Sequence, residues 1–200
     1  MKHYNFSTAY FHPEMFDNND VIVDNEIAND ISDDWNYEKG KIIVTGFLHK
    51  DRMDIFVAEQ DRDSDFAKAI FKYILDHKKH KFWSFNRKME RGNFKGMWDL
   101  DIPIAEIKPF KAKGFNKDRF YKELLANNVI PDSNVVDVFD GDSSRCIEHW
   151  ERFQDTGKIE FMQDVVKHNM NCLLKESVIQ KHKDFFLKNY NINERGWYDG

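Results

Sequence analysis

The chain has 200 residues, with 30 Lys and Arg against 35 Asp and Glu and a formal net charge of −5. That length allows one domain with a substantial core, and 18 Phe and 5 Trp supply apolar area that a disordered chain lacks. The charge gives no sign of a generally basic nucleic-acid binder, no apolar run approaches the ~20 residues of a membrane helix, and the two cysteines, Cys146 and Cys172, read as free thiols of a cytoplasmic protein.

In chain order, residues 1–19 form a peripheral or edge segment, and the apolar run at residues 21–24 reads as a buried strand. Its far end carries Asp24 and Glu26. Residues i and i+2 of a strand point to one face, so these two carboxylates converge where the strand leaves the core. Such a pair is costly unless positive charge lies between its members. A divalent cation is the usual answer, and an acidic turn after a buried strand is the plain alternative.

Residues 28–40 read as a loop closing at Gly40. Two more strands, 42–48 and 53–58, are joined by the polar turn at 49–52, which makes the first three strands antiparallel. Asp61 to Ser64 offer caps for a helix with Phe66, Ile70, Phe71, Ile74 and Leu75 at helical spacing. Residues 81–85 form a short aromatic strand, residues 87–98 a helix containing Gly92 and Gly96, and residues 99–113 an irregular segment around Pro103 and Pro109. A helix over 117–127, a strand over 133–139, a helix capped by Ser143 or Ser144 and a long helix from about 158 to 187 follow, with a peripheral tail at 189–200. Hairpin strands followed by strand–helix alternation predict one α/β domain spanning residues 1–200. Its central sheet is mixed and five-stranded, three antiparallel strands and then parallel ones, with helices on both faces.

Charge is unevenly spread. Residues 14–38 are acidic, whereas Lys78, Lys79, Lys81, Arg87, Lys88, Arg91 and Lys95, then Lys108, Lys111, Lys113 and Lys117, make two basic stretches. These are either solvated faces or a stripe that tracks phosphates beside the acidic site.

The order of elements, with an Asp-x-Glu ending the first core strand, resembles the ribonuclease H-like fold. More narrowly it resembles the DEDD-type 3′–5′ exonucleases, and within them the predicted RNase H-like exonucleases of bacteria and archaea, over most of residues 20–180. Asp24 and Glu26 match the first motif. Asn86 and Glu90, after the strand Trp83-Ser84-Phe85, match the second, with Glu in place of the usual Asp. His168 takes the place of the Tyr or His that orients the attacking water, where it would serve as a general base near neutral pH. The resemblance implies Mg²⁺ or Mn²⁺, two ions when active, and a single-stranded DNA or RNA substrate held along Asn86, Arg87, Lys88 and Arg91.

Cys172 falls where that family has its fourth carboxylate, and a thiolate is a poor ligand for a hard cation. Three readings follow. Glu176 stands in, since His168, Cys172 and Glu176 are spaced i, i+4, i+8 on one helix face. Alternatively, Asp24, Glu26 and Glu90 hold one metal or a softer one. In the third reading the site is inactive and the domain binds nucleic acid or protein. A rival without nucleic acid is an assembly subunit that uses Trp197 and Tyr198.

Overall fold

The structure, a computed structural model, describes residues 1–7, 18–29, 37–60, 63–131 and 137–199. Six strands form one sheet: β1 (Lys2–Ser7), β2 (Asp20–Ile27), β3 (Ile42–Leu48), β4 (Arg52–Val57), β5 (Lys81–Ser84) and β6 (Ile104–Glu106). Their order across the sheet is β1-β4-β3-β2-β5-β6. Pairing is antiparallel from β1 to β2 and parallel from β2 through β5 to β6. The edge role expected for the first residues is met by β1.

Among the described residues six α-helices accompany the sheet: α1 (Ser64–Asp76), α2 (Arg87–Trp98), α3 (Lys117–Ala126), α4 (Ser144–Thr156), α5 (Ile159–Lys181) and α6 (Lys183–Asn189). Tyr73 of α1 stacks on Phe47, and Glu90 of α2 bonds Asn25, so α1 and α2 cover one face. Asn169 of α5 bonds Asp24, the alternate residue of β2, so α5 lies on the opposite face. Asp63 caps α1 through its side chain, which accepts from the amides of Asp65 and Phe66, both at 3.0 Å. Phe47, Phe66, Phe94, Phe120 and Phe186 are fully buried, each stabilising the fold by roughly 1.5–3 kcal/mol. No helix among the described residues is long and apolar enough to cross a membrane.

The structure departs from the expected sheet and from the expected final helix. The sheet has six strands rather than five. Its parallel edge is β6, inside the segment read as irregular: a strand of three residues just after Pro103 is too short to show a period. The strand expected over 133–139 falls largely on residues 132–136, outside the described set, and residues 138–140 are a turn. The long final helix divides at His182, whose amide still bonds back to Val178 O at 3.1 Å.

Candidate acidic site and adjoining basic cleft

Asp24 and Glu26 lie at the end of β2 and are 4% and 5% exposed. The positive charge their placement calls for comes from the protein itself. Lys117, the first residue of α3, puts Nζ 2.9 Å from Asp24 Oδ1 and 2.7 Å from Glu176 Oε1. Asn169 braces the pair. Its Nδ2 donates to Asp24 Oδ2 at 2.9 Å, to the Asp24 carbonyl at 3.1 Å and to Glu26 Oε1 at 3.3 Å. Glu176 Oε2 also accepts from the Phe85 amide at 3.0 Å, tying α5 to the end of β5.

His168 approaches Glu26 from α5. Its Nδ1 donates to Asp137 Oδ1 at 2.7 Å, and Nε2 faces Cys172 Sγ at 3.7 Å and Glu26 Oε2 at 3.9 Å. Lys175 holds Asp137 in turn, with Nζ 2.9 Å from Oδ2. Cys146 of α4 donates through Sγ to Glu26 Oε2 at 3.5 Å.

Burial and charge sort the acids. Burial opposes ionisation of Asp24, but the charge and hydrogen bond of Lys117 outweigh it and hold Asp24 below the usual carboxylate range. Burial lifts Glu26 to about 7, although His168 pulls the other way. Burial likewise raises Glu176, aided by the charge and hydrogen bond of Asp24 and opposed by those of Lys117. Burial, then the charges of Asp24 and Glu176, raise Glu90 well above normal. His168 is pushed up to about 11: burial disfavours its charge, but Glu26 and Asp137 win. The shift favours the imidazolium, a donor, over the neutral imidazole that a general base needs.

The expected residues separate into groups. Asp24, Glu26, His168 and Glu176 line one cleft of about 200 Å³ together with Cys172 and Lys117. Glu90 comes from the other face of β2. It is 1% exposed, accepts from Asn25 Nδ2 at 2.5 Å and is coupled to the cleft acids by charge. Asn86 precedes α2 and lines both this cleft and a larger one of about 730 Å³. Arg87, Lys88, Lys108, Lys111 and Lys113 bring five cations to the larger cleft, where Trp197 is 48% exposed. Arg91 lines neither cleft. Its guanidinium pairs with Asp101 at 2.7 Å, as that of Arg87 pairs with Glu106 at 3.1 Å. Tyr198 is drawn into packing on Phe110, Phe115 and Tyr190.

Sequence reasoning missed Lys117, Asn169 and Lys175 as parts of the site. Lys117 looked like one more member of a basic stretch. Asn169 lies beside His168 in the motif, which was the available signal.

The arrangement is not the oxygen shell that Mg²⁺ prefers. Asp24 and Glu176 spend oxygens on an ammonium, and Glu26 faces nitrogen and sulfur. No protein-family model matches the chain, and no curated protein and no solved structure matches it either.

Proposed function

We propose that the chain is a nucleic-acid-binding domain of the ribonuclease H-like type, similar in plan to the DEDD exonucleases, in which a lysine takes the place of a divalent cation. Four antiparallel strands passing into parallel ones, with helices on both faces, support that plan. The observation that carries the reading is Lys117 Nζ at 2.9 and 2.7 Å from Asp24 and Glu176, at the base of a cleft that meets the basic cleft at Asn86.

The chemistry follows from the side chains. The acids are balanced from within by Lys117 and His168, so they repel a passing phosphate far less than bare carboxylates do. A strand entering along Arg87, Lys88, Lys108, Lys111 and Lys113 gains phosphate contacts, and Trp197 offers a face on which a base stacks. Single strands suit this surface because their bases are free to stack.

Metal-dependent hydrolysis, the 3′–5′ exonuclease reading, is the second one, and the array Asp137–His168–Glu26 beside Asp24 favours it. Two Mg²⁺ or Mn²⁺ ions need Lys117 to leave its two acids, and His168 to lose a proton before it accepts one from water.

Fluorescence anisotropy with end-labelled single-stranded DNA and RNA separates these readings. Binding in EDTA that weakens steeply with salt, with no shortening of the label after Mg²⁺ or Mn²⁺ is added, is the expected result. Shortening that needs metal and disappears in Asp24→Asn transfers the conclusion to hydrolysis. Absence of both binding and shortening removes nucleic acid from the account.

A further inference from the structure

We infer that Glu26, His168 and Cys172 form a site for one thiophilic divalent cation of the zinc type, separate from the Asp24–Lys117–Glu176 centre. This goes beyond the nucleic-acid reading and does not depend on it.

The three residues offer one carboxylate oxygen, one imidazole nitrogen and one sulfur, all within 4.8 Å of one another. His168 and Cys172 stand one turn apart on α5, so both point the same way. Glu26 meets them from β2. Zn–N bonds of about 2.0 Å and Zn–S bonds of about 2.3 Å at a tetrahedral angle span an N···S edge of roughly 3.5 Å and an N···O edge of roughly 3.3 Å. The observed separations are 3.7 and 3.9 Å. Bringing all three donors onto one ion closes the N···S edge by about 0.2 Å, the N···O edge by about 0.6 Å, and the S···O edge, which lies within 4.8 Å, toward roughly 3.5 Å.

The surroundings are those of a prepared ligand set. His168 Nδ1 is committed to Asp137, which fixes the ring and turns Nε2 toward Glu26 and Cys172. Asp137 is itself held by Lys175. A metal-ligating histidine is characteristically oriented through its far nitrogen in this way. Nε2 has no contact of ordinary hydrogen-bond length to the carboxylate it faces, although both groups are buried. Asn169 holds the other Glu26 oxygen at 3.3 Å.

Donor chemistry selects the ion. One sulfur, one nitrogen and one oxygen suit Zn²⁺ or Co²⁺ and disfavour Mg²⁺. Three protein ligands leave a fourth position, and all three residues line the small cleft, which gives that position access to solvent or substrate. Cys146 stands behind Glu26, bonded to its Oε2, and is not in the set. On binding, the Cys172 thiol proton, the Nε2 proton of His168 and the proton of any protonated Glu26 go to solvent, while Nδ1 keeps its proton in the hydrogen bond to Asp137.

The test is a Co²⁺ titration of the whole reduced chain, stripped with chelator and followed by absorption and by thermal melting. One equivalent is expected to give a near-ultraviolet thiolate-to-cobalt charge-transfer band and to raise the melting temperature. Zn²⁺ is expected to displace it, and excess Mg²⁺ is not. Cys172→Ser and His168→Gln are expected to lose the band, and Cys146→Ala to keep it. Cys172→Asp covers the case in which the serine variant does not fold: it is expected to retain Co²⁺ binding without the sulfur band. A folded wild-type chain with no band and no melting shift overturns the site. So does a band that survives Cys172→Ser or vanishes in Cys146→Ala. Nucleic-acid binding in EDTA is indifferent to each of these outcomes, so the two readings fail separately.

Discussion

Gly46 makes room for Asn169. Gly46 is the cross-strand partner of Asp24, and a Cβ placed on it would lie 2.1 Å from Asn169 Oδ1 and 2.6 Å from Leu173 Cδ1. The missing side chain lets α5 settle close enough to the sheet for Asn169 to reach both Asp24 and Glu26. Gly46→Ala is therefore predicted to destabilise the fold by about 1–3 kcal/mol, the usual cost of overpacking. Urea unfolding measures it. A change under about 0.5 kcal/mol, the range of an indifferent surface substitution, would contradict the close approach.

Lys117 is the counter-charge for two buried acids. Lys117→Met leaves Asp24 and Glu176 without it and is predicted to cost on the order of 3–5 kcal/mol, as for a buried pair stripped of one partner. The same variant opens the position to a hard cation. Its melting temperature is predicted to rise with Mn²⁺ more than that of the wild type, and equal responses would mean that the ammonium and the metal do not compete.

How much of this was legible in the sequence depends on the range of the interaction. The alternation of β2 placed Asp24 and Glu26 together, and the i, i+4, i+8 spacing placed His168, Cys172 and Glu176 on one face, because both patterns are local. Lys117 meets Asp24 from 93 residues away, and no periodicity encodes such a meeting. Glu90 meets β2 through Asn25, the residue between Asp24 and Glu26, and feels the charges of both those acids. β6 escaped notice because three residues next to a proline carry no period.

Two of the raised groups, Glu26 and His168, have definite pH windows. Glu26 rises from 4.5 to about 7 on folding, so the folded state binds the extra proton and stability falls as pH climbs through that window. His168 rises from 6.5 to about 11, so its contribution is complete below 6.5 and is lost as pH approaches 11. Unfolding free energy is thus predicted to decline from about pH 4.5 to 7 through Glu26 and from about pH 6.5 to 11 through His168, and His168→Gln to flatten the second part. A slope identical in the variant would assign the loss to other groups.

In the proposed reading the basic cleft takes the phosphate contacts. Lys111→Glu with Lys113→Glu is predicted to weaken oligonucleotide binding and to reduce the slope of log K against log salt by about 1.4, at roughly 0.7 per single-strand contact. Melting temperature is predicted to hold, since these residues stand away from the buried acids. An unchanged slope with weaker binding would place the strand elsewhere. Trp197 fluorescence is expected to be quenched on binding.

Anomalous diffraction from crystals soaked in Mn²⁺ tests the central claim most directly. The account predicts ordered density for Lys117 Nζ between Asp24 and Glu176 and no manganese peak there. A manganese peak at ligand distance from both carboxylates, with the lysine displaced, would contradict it.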